Sequence, residues 1–143
     1  MVRNFDNFGG IFELSQLSQI KLVSLPISLI VLIDRHWISM YVTENTLELM
    51  DSAGFLRFAV KHKEFRNFLC PLIRFKKFKV SPQLQTDGSK SCGLYAVVFL
   101  YLRTFTDISL CNFCNSFTTD FVTNDKLVNK IYDVIFDDEF TQL

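Results

Sequence analysis

The chain has 143 residues, enough for one domain (residues 1–143) with a sizeable core, and 49% hydrophobic content with 16 phenylalanines excludes a disordered tail. Fifteen basic and fifteen acidic residues cancel, so no bulk attraction to nucleic acid or an anionic membrane is indicated. Four cysteines (Cys70, Cys92, Cys111, Cys114) are too few and too irregularly placed for a secreted disulfide scaffold, and a reducing intracellular setting fits better.

Residues 1–12 are aromatic and glycine-bearing, with Gly9-Gly10 as a flexible joint; residues 1–6 carry no signal-peptide pattern. Residues 13–20 have helical spacing, which predicts a short helix. The longest apolar stretch, residues 22–33, is interrupted by Ser24, Pro26 and Ser28 and is too short to span a bilayer, so a soluble protein with no membrane partner is expected. Within it, residues 27–33 are a continuous run of the kind found in strands buried on both faces. Asp34-Arg35 forms a polar turn into His36. Residues 37–42 alternate as a strand, Glu44-Asn45 makes a turn, and residues 46–50 complete a hairpin. His36 then opens one strand and Asp51 closes its antiparallel partner, so the two lie at the same end of the ladder.

Residues 55–69 have helical spacing, and Cys70-Pro71 ends that helix. Residues 72–80 read as a basic edge strand. Arg74, Lys76, Lys77 and Lys79 there have two readings, a solvated face or a phosphate-binding strip for DNA. A polar loop, residues 85–91, then stops at Cys92-Gly93 and a long apolar run. Gly88, Ser89 and Ser91 are turn and cap formers, so a helix is predicted from Cys92 to about Thr104, apolar almost all round and therefore buried. A thiol at a helix N-terminus feels the positive end of the macrodipole and the free N–H groups of the first turn, both of which favour the thiolate. Further helices are expected at residues 107–117 and at 124–136, the latter capped by Asn124. The fold class is α+β, a central mixed sheet packed between helices.

A cysteine nucleophile needs a base, and the base needs an orienting group. His36-Trp37, Asp51, Gln85 and Cys92-Gly93, in that order, resemble the adenovirus maturation protease and its relatives in viruses and virus-like transposons, within the clan of ubiquitin-like-protein (SUMO) proteases. The resemblance covers roughly residues 10–104; Gly10-Ile11-Phe12-Glu13 is similar to a short segment near the start of the adenovirus enzyme. That enzyme has glutamate at the acid position, and Asp51 matches the SUMO-protease branch. The resemblance implies a permuted papain-like fold and a thiol endopeptidase, with His36 as base, Asp51 as its orienter and Cys92 as nucleophile. Gln85 joins the Cys92 N–H as oxyanion donor. Trp37 and Gly93 would line the substrate channel. Implied substrates are viral or virus-like precursor polypeptides cut next to small residues, glycine especially. The implied setting is the host cell, its nucleus included, and the virion, with the enzyme a monomer that needs no cofactor unless DNA or an activating peptide stimulates it. Cys70 is either a buried helix-end cysteine or the partner of such a peptide.

Two other functions remain open: an isopeptidase that removes ubiquitin-like modifiers, and a non-catalytic binding module derived from the same fold. Gln83 is an alternative to Gln85 that only the family spacing disfavours. His62 is a rival base flanked by Lys61 and Lys63. Cys111 and Cys114 have CxxC spacing, but a structural zinc site needs four ligands and the chain has few others to offer.

Overall fold

A computed structural model describes residues 7–54 and 59–137 of the chain. Among these, five strands lie side by side in chain order: β1 (Phe8–Glu13), β2 (Ile27–Ile33), β3 (His36–Val42), β4 (Thr46–Met50) and β5 (Lys77–Val80). β1 and β2 are parallel, β2, β3 and β4 form an antiparallel meander, and β5 returns parallel to β4. The helices are α1 (Lys63–Phe75), α2 (Cys92–Thr106), α3 (Leu110–Cys114) and α4 (Phe121–Phe136), with 3-10 turns at Leu14–Gln19 and Ala59–Lys61. The architecture is thus α+β around a mixed sheet. Among the described residues, no helix is long and apolar enough to cross a membrane.

Alternation along the meander divides the apolar side chains between two cores. Leu29, Val31, Ile38, Met40, Leu47 and Leu49 face α1, where Phe65 and Leu69 meet them. Ile30, Tyr41 and Met50 point the other way, onto Tyr95, Val98 and Phe99 of α2 and onto Phe113 and Val128 beyond. Each such side chain, fully buried, contributes roughly 1.5–3 kcal/mol. α2 packs on β3 and is covered in turn by α3 and α4, so its first residue, Cys92, is held on a rigid element. The β2–β3 hairpin closes on the pair Ile33–His36 through Asp34 and Arg35, both with positive φ (46° and 68°). Two left-handed residues match the twist of the flanking strands, and they fix His36 as the first residue of β3.

The structure departs from sequence expectation in four places. The segment read as a glycine joint is strand β1. Gly9 lies so close to β2 that a Cβ would come within 2.6 Å of Ile27 and 2.8 Å of Leu29, so glycine is what lets the strand dock. α1 runs through Pro71 instead of ending there, and Cys70 is exposed on it rather than buried at its end. The carbonyl that Pro71 cannot serve belongs to the exposed Asn67, while Leu69 and Leu72 pack into the core on either side of it; packing outweighs the lost bond. The basic strand shrinks accordingly to Lys77–Val80, at the sheet edge as expected. Finally, α4 begins at Asp120, whose carboxylate accepts the N–H of Thr123, whereas Asn124 is fully buried inside the helix. Residues 1–6 and the start of the helix expected at 55–69 lie outside the described residues.

Candidate active site

At one end of the sheet, β3 begins, β4 ends and α2 starts, and these three points bring His36, Asp51 and Cys92 together. His36 Nε2 lies 2.6 Å from Asp51 Oδ1. The ring also interacts with the Cys92 thiol. Asp51 is fully buried and held from behind: its N–H donates to Ser81 Oγ at 2.8 Å, and that hydroxyl donates to the Asp51 carbonyl at 2.9 Å. The Ala53 N–H adds a bond to Oδ1 at 3.2 Å.

Burial alone would depress the His36 pKa. The hydrogen bonds to Asp51 and Cys92 and the charges of those groups outweigh burial and raise it to about 9. Burial likewise pushes the Cys92 thiol up. The His36 hydrogen bond, the Trp37 N–H at 3.5 Å from Sγ, the His36 charge and the Gly93 N–H together bring it below its ordinary value. The net effect favours thiolate beside imidazolium. Ser91 contributes by omission: its side chain does not cap α2, so first-turn N–H groups remain for the sulfur. Cys114 is the opposite case, its thiol pushed up to about 12 by burial and by the charges of Cys111 and Glu48.

Gln85 is only 4% exposed and sits beside Ser52, the residue after Asp51. Its Oε1 accepts the Ser52 hydroxyl, and its Nε2 donates to the Ser89 carbonyl at 3.2 Å. Gln83 braces the loop from outside, through the Gln85 carbonyl and Asp87. The structure thus turns Gln85 inward and Gln83 outward, a distinction that spacing alone did not make. The loop is clamped from its far side as well. Asn124 donates to the Leu84 carbonyl at 3.1 Å, and Asp125 accepts the Thr86 N–H at 3.2 Å and the Tyr95 hydroxyl at 2.9 Å. Ser52, Ser81, Asn124 and Asp125 were not legible as site residues, because small polar side chains in loops and caps are common; the Asp51-Ser52 adjacency was the one available signal.

Trp37 is half-buried, and its ring lies over the first turn of α2: a Cβ at Gly93 would meet it at 3.8 Å, ordinary contact. Beyond the ring, the Trp37 backbone N–H serves the sulfur, a role sequence reading did not assign. His62 is 3.7 Å from Asp34 in the β2–β3 turn. The basic residues are dispersed: Arg74 is in the last turn of α1, Lys77 and Lys79 are on β5, and Lys76 points its ammonium at the carbonyls of Thr43 (2.6 Å) and Glu44 (2.7 Å). Cys70 is solvent-accessible, and Cys111 and Cys114 sit together on α3. No group of side chains suited to holding a metal ion occurs among the described residues.

No protein-family model matches the chain, and neither does any curated protein sequence. Among solved structures, the central domain of the uncharacterized protein Lpg1148 from Legionella pneumophila is similar at 13% identity and a TM-score of 0.49, covering 95% of this chain and 88% of that one.

Proposed function

We propose that the chain is a cysteine endopeptidase with a permuted papain-like fold, of the clan that holds the adenovirus and SUMO proteases. The observation that carries this reading is His36 set between a buried carboxylate and a thiol at the start of a buried helix, with the thiol pKa lowered and the imidazole pKa raised. Thiolate attack on a peptide carbonyl carbon forms the C–S bond and moves the carbonyl electrons onto oxygen. The Cys92 N–H and the second N–H of Gln85 Nε2 are the donors offered to that oxyanion. Collapse breaks the C–N bond, and the His36 proton leaves with the amine. Water then adds to the thioester as His36 takes its proton, and the acid product departs as the thiolate returns. Asp51 holds the ring in the tautomer and direction both steps need.

The test is hydrolysis of glycine-containing fluorogenic peptides alongside labelling of Cys92 by a peptide vinyl sulfone. Turnover and labelling that both vanish in Cys92→Ala are expected. Labelling no faster than that of a free thiol would overturn the reading. The isopeptidase branch is separated by faster turnover of a ubiquitin or SUMO C-terminal substrate than of the short peptides.

A further inference from the structure

One residue beyond Asp51, Ser52 is 1% exposed and turns both its backbone carbonyl and its hydroxyl toward the glutamine loop. The carbonyl accepts the N–H groups of Leu84 at 2.8 Å and Gln85 at 3.1 Å, and the hydroxyl donates to Gln85 Oε1. On the other side of the carboxamide, the Ser89 carbonyl receives Nε2 at 3.2 Å. A carboxamide has two ends of nearly equal shape and opposite hydrogen-bonding character. The Ser89 oxygen can only accept, so it takes the NH2 end, and the Ser52 hydroxyl must then donate to the carbonyl end. Turned by half a revolution, the amide would set two oxygens against each other at Ser89. On the peptidase reading it would also offer a lone pair, in place of an N–H, to the developing oxyanion.

We propose that Ser52 is a positioning residue that anchors the carbonyl end of the Gln85 carboxamide, so that its NH2 end, selected by the Ser89 carbonyl, is held in the direction an oxyanion donor needs. The proposal rests on the peptidase reading of the site. Asp51 and Ser52 then divide two tasks between adjacent residues at the end of β4: the first orients the base, the second orients the oxyanion donor. Because Gln85 is buried, bulk solvent does not replace the hydroxyl when it is removed, and the amide, then held at its Ser89 end alone, is no longer fixed in direction and leaves a buried carbonyl unpaired.

The experiment is a steady-state comparison of Ser52→Ala, Ser52→Thr, Gln85→Ala and the Ser52→Ala/Gln85→Ala double variant, with thermal melting to confirm folding. Ser52→Ala should lower kcat about tenfold with KM within about twofold, and Ser52→Thr, which keeps the hydroxyl, should restore most of it. In the Gln85→Ala background, Ser52→Ala should cost nothing more. Alkylation of Cys92 by iodoacetamide passes through no oxyanion, so its rate and pH dependence should be unchanged in Ser52→Ala. Unchanged kcat in Ser52→Ala, independent effects of the two substitutions, or alkylation slowed in step with hydrolysis would overturn the positioning role. An active wild-type enzyme indifferent to Ser52 would overturn that role alone, whereas wild-type protein with no hydrolysis of peptide or thioester would overturn the peptidase reading as well.

Discussion

β4 and the residue after it present two buried carboxylates three positions apart, and their surroundings differ in kind. Glu48 is closed: Oε1 receives Arg103 Nε at 2.7 Å, Oε2 receives the Leu110 N–H at 2.7 Å, and the guanidinium also binds Asp107 and lies over the Tyr41 ring. Asp51 is open. Its Oδ1 holds His36 and the Ala53 N–H, while Oδ2 is buried with no hydrogen-bond partner among the described residues. Arginine is always charged, so the first pair is a fixed tie between the sheet and α2. Histidine titrates, so the second pair can carry a proton back and forth. Of the two, only Asp51 combines an oxygen left over with a titrating partner, as the orienting carboxylate of the proposed site would require.

The contrast is broken most severely by removing the reactive atoms. Cys92→Ala and His36→Ala should each bring peptide hydrolysis below detection in a fluorogenic assay, with the melting temperature nearly unchanged for the cysteine variant. Asp51→Asn and Glu48→Gln separate the two carboxylates. The first should lower kcat about 10²–10⁴-fold, because the ring loses its tautomer but the nucleophile and base remain. The second should leave kcat of the folded protein unchanged and cost about 3 kcal/mol of stability in urea unfolding, since Arg103 then lacks its main counter-charge. A loss of kcat in Glu48→Gln as large as in Asp51→Asn would erase the distinction.

The pH profile sharpens it. Hydrolysis needs thiolate and imidazolium together, so kcat/KM should rise through the lowered Cys92 pKa and fall as His36 loses its proton near pH 9. The same proton links to stability. The folded value is raised above the ordinary 6.5, so its contribution is full below about pH 6.5 and is lost as pH rises through about 9. In Asp51→Asn the alkaline limb should move to lower pH; a limb that stays fixed would remove Asp51 from the pair. The smallest effect expected is at the loop: Gln85→Ala should lower kcat about 10²-fold, and Gln83→Ala should change it by less than about twofold. Equal losses would mean that the loop's shape, and not its inward amide, matters.

What the sequence disclosed depended on how local the determining interaction was. The β3–β4 hairpin and α2 were legible because alternation, turn residues and an all-apolar run are contained in short windows. His36 and Asp51 could be set at one end of the ladder from that hairpin alone. β1 was not legible: Gly9 is explained by Ile27 and Leu29, far along the chain, and its glycine pair resembles a hinge in isolation. Pro71 misled for the same reason, since Leu69 and Leu72 sustain α1 through contacts with the sheet side of the molecule. Asn124 looked like a cap because caps favour asparagine, yet its amide reaches Leu84 and Thr118 instead. The choice between Gln83 and Gln85 had no local determinant; Ser52, from another segment, makes it.

The clamp on the glutamine loop also has a consequence in time. Asn124 and Asp125 belong to α4, the last helix among the described residues, while the thiol, imidazole and carboxylate of the candidate site are all made by residue 92. During synthesis the thiol and imidazole can meet before the loop carrying Gln85 is braced from behind. On the proposed reading, a peptidase assembled in this order would reach full turnover only once α4 has docked behind the glutamine loop.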